Sequence, residues 1–437
     1  MGKSIRYIIF SIILLFSGLT VSAQGSGAYG SYSPYSVYGI GEISRQGNAF
    51  TQSMGGIGIA TRNRRFINYL NPAAVTARDT LAFMADFGIS QKNTYFRQDG
   101  MKSANNTFNI YNLVMSFPIW KSSAFMVGLV PFSDVGYDFS SYVDDDIIAG
   151  TGNINYKSSG SGGIYQIFIG AGATFWKRFS VGAELDILFG NIEKNSDTQI
   201  SRPDFRSVNS GSKINSRGVT GKLGLQYEQP LGKNLSMLIG TTYRFRSKMR
   251  GQSTDYNYGI QSSVVDSVKT EIIHLSKSGL KFGDELGVGI SLKGGEDWNV
   301  EFNYIRQDWR KSGMDAVNGF AVNGDMTFKS SVSHSFRAGF EIVPNKNDIR
   351  YYLRRCAYRG GFYYDRANYK INGKNVDGFG LTLGVTLPVW RWYNGISLGL
   401  DLGQKGTIKN NMVRERYFRF FIGFNIHDIW FQKTRYK

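Results

Sequence analysis

The sequence is poor in several things on which ordinary folds depend. Of its 437 residues only Cys356 is a cysteine, so no internal disulfide can staple it. The three histidines, His274, His334 and His427, are far apart and lack the spacing of metal ligands. Beyond the first two dozen residues no apolar run reaches about 20 residues, the length a spanning helix requires. A disulfide scaffold, a histidine metal centre and a helical membrane protein are thereby set aside. No phosphate-binding P-loop pattern occurs in the mature chain. Gly160-Ser161-Gly162 has no histidine placed to activate its serine. The chain is therefore read as neither an enzyme nor a cofactor protein.

Acidic residues are also few beside basic ones, giving a formal charge of +18. The basic residues are scattered rather than massed, which argues against nucleic acid and for the anionic groups of a lipid surface. Two of them, Lys3 and Arg6, precede the apolar stretch from Ile8 to Leu19, and Val21-Ser22-Ala23 offers a small-x-small cleavage site. Residues 1–23 read as a secretory signal, and no cysteine follows to make it a lipoprotein signal.

Glycine (53 residues) and aromatics (15 %) are abundant. Six of the seven tryptophans, Trp120, Trp176, Trp298, Trp390, Trp392 and Trp430, lie beside short polar turns. An amphipathic ring at one end of successive strands is what a membrane–water interface selects. From Thr80 onward the apolar period is two. Phe179, Val181, Ala183, Leu185 and Ile187 alternate with Ser180, Gly182, Glu184, Asp186 and Leu188. Ile396, Leu398, Leu400 and Leu402 alternate with Ser397, Gly399, Asp401 and Gly403. One greasy face and one polar or glycine-rich face suit a cylinder with lipid outside.

Short connections near residues 121, 177, 232, 294–295, 345–348 and 391–394 alternate with longer polar stretches near 98–105, 140–153, 191–210, 246–278, 311–327, 366–376 and 405–413. Thirteen connections imply 14 strands, and an even count puts both ends of the barrel in the periplasm. The expected fold is all-β: a transmembrane antiparallel β-barrel over residues 80–431, followed by a basic periplasmic tail, 432–437. Alternation assigns Met84, Asp86, Glu184, Asp186, Leu188, Arg337, Glu341, Asp401, Arg419 and Phe421 to the lumen. The mixture of acids and bases among inward positions predicts ion pairs that brace a filled or narrow interior. His334 also falls on strand ten at a candidate lumen position, as polar lining rather than ligand.

Residues 24–79 alternate weakly and carry Tyr32, Tyr35, Tyr38 and the run Met54-Gly55-Gly56-Ile57-Gly58-Ile59-Ala60. So long a lead exceeds what a linker needs, and its aromatics argue against a disordered tail. It is expected inside the barrel as a plug. Pro131 is the one proline well inside a strand; there it breaks a ladder locally, making either a bulge or a kink, and Gly136 would help the backbone bend.

Asn71-Pro72-Ala73, after a glycine-rich run and before the first strand, resembles the NPA signature of the FadL-type fatty-acid transporters. Gly128-Leu129-Val130-Pro131-Phe132 resembles a stretch of their third strand, and Arg414 to Phe431 is similar to a FadL-like lineage of outer-membrane proteins. The resemblance covers most of the mature chain in architecture, but in motif only 33–80, 125–132 and 414–431. It implies an outer-membrane barrel with an N-terminal hatch and a lateral gate at a strand-three kink, here Pro131 and Gly136. It implies passive uptake of hydrophobic compounds such as long-chain fatty acids, which bind in the lumen and leave sideways into membrane lipid. The alternative is a non-transporting FadL-like barrel serving as scaffold or accessory subunit of an envelope secretion or assembly complex. Against transport, the assignable lumen positions are more charged than a fatty pocket would want.

Overall fold

The structure, a computed structural model, describes residues 30–78, 82–120, 122–143, 153–202, 204–261, 264–316, 327–389, 394–410 and 412–429. The expected signal, the basic tail and Trp390, Trp392 and Trp430 lie outside these residues.

Fourteen wall strands follow in chain order. They are β1 (Ala82–Gln98), β2 (Met101–Trp120), β3 (Ser123–Val143), β4 (Ile154–Phe175), β5 (Phe179–Ile200) and β6 (Ser207–Pro230). Two are in three pieces each: β7 (Leu235–Arg244, Ser247–Lys248, Arg250–Gln261) and β8 (Val264–His274, Lys281–Phe282, Asp284–Gly294). Then come β9 (Trp298–Asp308), β10 (Phe328–Ser330, Val332–Ile342), β11 (Ala357–Ile371), β12 (Lys374–Pro388), β13 (Gly395–Lys405) and β14 (Arg414–Ile429). Each pairs antiparallel with the next, and β14 returns to β1 from Ala82↔Ile429 to Arg97↔Arg414. Closure removes the sheet edges that lipid could not satisfy, save for one stretch between β2 and β3.

The pleat sorts the side chains. On β5, Glu184, Asp186 and Leu188 are buried while Leu185, Ile187 and Phe189 are exposed. The exposed rows form the lipid-facing belt. Trp120, Trp176 and Trp298 stand at one end of the wall, where the short turns are, and Trp176 is 86 % exposed. The seventh tryptophan, Trp309, is 1 % exposed and belongs to the interior.

Several stretches that read as long loops are strand. β6 runs 24 residues, and β5 and β6 stay in register from Phe179↔Tyr227 to Thr198↔Val208. The hairpins at 98–105 and 366–376 close on the two-residue turns Asp99-Gly100 and Asn372-Gly373, with all four residues at positive φ. Past the lipid both faces of a strand meet water, so the apolar alternation fades while backbone pairing continues. The connection near 345–348 is longer than a tight turn: it spans 343–356 and contains a 3-10 helix, Tyr352–Arg355. His334 is placed outward rather than in the lumen. Its neighbours Ser335 and Arg337 are buried, and its Nδ1 sits 2.9 Å from the Tyr304 hydroxyl beside exposed Phe336.

Candidate functional site

The interior is organised by residues 30–77, which touch the inner face of strands all around the wall. Asn48 caps the helical turn Ala49–Gln52, its side chain accepting from Thr51 N. Asn71 caps the 3-10 helix Pro72–Thr76 in the same way, accepting from Ala73 N at 3.0 Å, with Pro72 at the first position. Asn71 Nδ2 donates to the Ile59 carbonyl at 2.8 Å and to the β6 carbonyl of Leu225 at 3.2 Å. Asn71-Pro72-Ala73 thus docks a cap against the wall. Wall glycines allow the approach: a Cβ on Gly182 would lie 2.3 Å from the Pro72 carbonyl carbon, and one on Gly361 2.2 Å from that of Met54. The glycine-rich inner face receives backbone rather than open space.

Arginines of this segment meet acids of the wall. Arg65 reaches Glu341 at 2.5 Å, and Arg359 of β11 holds the second oxygen of that carboxylate at 2.7 Å. Arg45 pairs with Asp401 at 3.0 Å, and its guanidinium lies 3.5 Å from the Tyr363 ring centroid. Arg62 donates to Ser180 at 2.7 Å and to Gln226 at 3.2 Å. Glu301 accepts from Gly58 N at 3.0 Å, Ala60 N at 2.9 Å and the Thr61 hydroxyl. Burial by itself would raise the Glu42 carboxyl, but Lys405 and Lys92, with the hydrogen bond from Ser33, hold it below its ordinary value.

Of the residues that alternation assigned inward, Met84, Asp86, Glu184, Asp186, Leu188, Arg337, Glu341, Asp401 and Phe421 are buried. Arg419 is nearly so, 3.5 Å from Asp401 and 2.5 Å from the Gln52 amide oxygen. Arg45 and Arg65, which supply cations for Asp401 and Glu341, escaped the sequence reading, as did Arg62. A signal was available: residues 24–79 hold five arginines and no lysine, and arginine is the cation suited to buried forked pairs. Also missed was an apolar cluster that joins Phe132, Val135 and Tyr137 of β3 to Ile164, Leu188, Ile192, Ile214, Phe282 and Trp309. Several of its members sit in stretches first read as polar loops.

At Pro131 the wall changes. β2 pairs with β3 only from Trp120↔Ser123 to Leu113↔Leu129, whereas β3 stays paired with β4 up to Val143↔Ile154. The β3–β4 register shifts between Pro131 and Ser133, a bulge, and beyond it Phe132, Val135 and Tyr137 are buried. The edge that β3 no longer offers to β2 is taken from within. Glu42 and Ile43 pair with Asp134 and Ser133, Gln46 donates to the Pro131 carbonyl at 2.7 Å, and Ser33 N to that of Gly136 at 2.8 Å. Gly136 keeps a negative φ and acts here through its backbone groups. The β2 edge from Met101 to Asn112 has no strand facing it among the described residues. A cavity of about 300 Å³ extends from Asn109 and Pro131 at this seam into the middle of the lumen. Its lining is mixed: Glu42, Arg45, Lys92, Asp134 and Lys405 stand beside Ile43, Tyr69, Tyr111, Phe132 and Tyr363. Among the described residues no cluster of His, Cys, Asp and Glu has the makings of a metal site.

No curated protein matches the sequence. Solved structures do. The CymD monoaromatic hydrocarbon channel superposes with a TM-score of 0.58 at 16 % identity, covering 86 % of this chain and 96 % of that one. The Ralstonia pickettii toluene transporter TbuX gives 0.57 at 14 % identity, covering 87 % and 98 %. A Pseudomonas aeruginosa FadL homologue gives 0.53 at 9 % identity, covering 89 % and 99 %. At these identities the likeness speaks for the fold, which is that of the FadL-like outer-membrane barrels. The model of one family spans nearly the whole sequence, residues 4–437, and this chain belongs to that family, BamG.

Proposed function

We propose that this protein is an outer-membrane barrel whose lumen is held shut by its own N-terminal segment, and that it works as an accessory subunit of an envelope protein-assembly complex. One observation carries the reading. Arg45 and Arg65 of the N-terminal segment are fastened to the buried wall acids Asp401 and Glu341, and the cavity of about 300 Å³ left over carries many charged side chains in its lining. Pockets for hydrophobic ligands are mostly apolar, commonly about 300–1,000 Å³. An acyl chain gains roughly 0.8 kcal/mol per methylene on leaving water for an apolar site, and among carboxylates and guanidiniums that gain is forfeited. The apolar cluster around Phe132 and Trp309 is filled by its own side chains. Membership of the BamG family is compatible with a place in an assembly complex.

The experiment is native mass spectrometry of the protein extracted in mild detergent, paired with uptake of toluene and palmitate into proteoliposomes. A stoichiometric protein partner without uptake supports the reading; uptake by an isolated monomer refutes it. The second reading, passive transport of hydrophobic compounds, is favoured by the seam between β2 and β3 and by the likeness to hydrocarbon channels. On that reading the segment must move, and Pro131 marks the lateral exit.

A further inference from the structure

The turn between β10 and β11 is unlike the others at its end of the barrel. Residues 343–356 form the longest described connection there, and they are well built. Asp348 Oδ1 accepts from Arg350 N at 2.8 Å and Tyr351 N at 2.7 Å, and Asn345 N donates to the Arg354 carbonyl at 2.8 Å. Yet the apolar side chains of this ordered turn are bare: Ile349 is 99 % exposed and Leu353 67 %, with Tyr351 half exposed beside them. Rigid exposed apolar groups mark a surface that something covers.

Its position identifies the cover. The turn leaves the wall at the tryptophan level, where Trp298 pairs with Ile342 and Val343 N donates to the Asp297 carbonyl at 2.7 Å. The 3-10 helix lies against the outer rim. The hydroxyl of exposed Tyr358, on β11, donates to the Leu353 carbonyl at 3.0 Å, and that of Tyr352 to the Pro388 carbonyl at 2.9 Å. Leu353 therefore continues the lipid-facing row of Ile342, Tyr358 and Phe362 past the end of the wall. Three arginines accompany it. Arg350 and Arg354 stand 5.5 and 5.0 Å from the Tyr351 ring centroid, and Arg355 5.0 Å from that of Tyr352. Arg354 is 3.5 Å from Asp348, whereas Arg350 and Arg355 have no carboxylate partner among the described residues. Apolar tips beside aromatic rings and unpaired guanidiniums are the composition of a segment lying in a lipid interface.

We propose that the 343–356 turn is a foot that binds phospholipid phosphates. Ile349 and Leu353 enter the acyl region of the leaflet at the short-turn end, periplasmic by the even strand count. Arg350, Arg354 and Arg355 hold the headgroups. The site is independent of whether the lumen conducts.

The test uses the full protein in nanodiscs of phosphatidylcholine, alone or with equimolar phosphatidylglycerol. A fluorophore on Ile349→Cys reports depth through quenching by brominated lipids; buried Cys356 does not compete for the label. Preference for phosphatidylglycerol is read from spin-labelled lipids at the protein boundary. We expect strong quenching, and enrichment that falls about fivefold for each arginine lost. The triple Gln variant at 350, 354 and 355 should lose that enrichment and the triple Lys variant keep it. A label that stays in water overturns the proposal, and so does an unchanged lipid preference in the triple Gln variant. Heat-modifiable gel mobility verifies that each variant is folded.

Discussion

Glu341→Gln is the perturbation that asks most of the closed-lumen reading. The carboxylate is 3 % exposed and lies between Arg65 of the N-terminal segment and Arg359 of the wall. The Arg359 guanidinium also packs 4.5 Å from the Phe50 ring and donates to Thr386 at 2.6 Å, so it has nowhere to go. Neutralising Glu341 leaves two buried guanidiniums without their counter-ion, a change that costs about 3–5 kcal/mol. The barrel keeps its ladders, so the loss falls on docking of the segment. At 1.36 kcal/mol per decade, release becomes roughly 10² to 10³ times more frequent or more. Trypsin reads this directly, because Arg45 and Arg65, unlike exposed Arg64, are cleavage sites only when the segment leaves the wall, and cleavage there follows the open population. The expected result is a rise of at least about a hundredfold in cleavage at Arg45 and Arg65 with unchanged heat-modifiable mobility. Asp377→Asn is the control: its pair with Arg366 at 3.0 Å is more than a third exposed on both sides, where an ion pair contributes about 0–1 kcal/mol. A Glu341→Gln protein cleaved no faster than this control would refute the pinning argument.

Other substitutions probe the remaining contacts. Asn71→Ala removes the cap to Ala73 N and the bond to Leu225 of the wall, and should weaken docking by about 1–3 kcal/mol in the same assay. Gly182→Val sets side-chain atoms against the Pro72 backbone, which cannot yield because it lies in a short helix; hydrogen exchange should show residues 71–76 deprotected while β5 and β6 remain protected. Acid should also loosen the segment. The Glu42 carboxyl sits below its ordinary value, so its pairing with Lys405 is fully present above the unfolded glutamate value and is lost as pH falls through the lower folded one. The Glu42 contribution to hydrogen exchange across residues 32–46 should therefore appear as a rise below about pH 4.5.

The wall was legible because lipid imposes a rule on it. Leu185, Ile187 and Phe189 had to face one way and Glu184, Asp186 and Leu188 the other, so a period of two was written into β5. Where the rule lapses the sequence misled. Ile192 and Met249 belong to the apolar cluster, yet they stand in stretches that read as long polar loops. The Asn372-Gly373 and Asp99-Gly100 pairs were better guides there, since a two-residue hairpin needs positive φ at both centres. His334 was misplaced because a face on β10 was assigned without knowing its partners, Tyr304 and Phe336. The segment of residues 30–77 has no period at all. Its contacts join residues some hundreds of positions apart, such as Arg65 with Glu341 and Arg45 with Asp401, and a local pattern contains no trace of such pairs.

The seam and the closed lumen bear on each other through the route a ligand would take. A hydrophobic molecule already in the membrane gains nothing by moving from lipid into a cavity lined by Glu42, Lys92 and Asp134. One arriving from water, at the far end of the barrel, first meets the cluster of Phe132, Tyr137, Phe282 and Trp309, packed against itself. To pass, it must displace those side chains and then part Arg45 from Asp401 and Arg65 from Glu341. Each of those buried pairs costs about 3–5 kcal/mol to break, so together they consume what burying roughly ten methylenes returns. Nor does the seam itself call for a ligand. The backbone groups that β3 withholds from β2 are already met by Ser33, Glu42, Ile43, Ser44 and Gln46. What the Pro131 bulge secures is a place on the wall where the N-terminal segment pairs as a strand, and the ion pairs above hold that strand where it is.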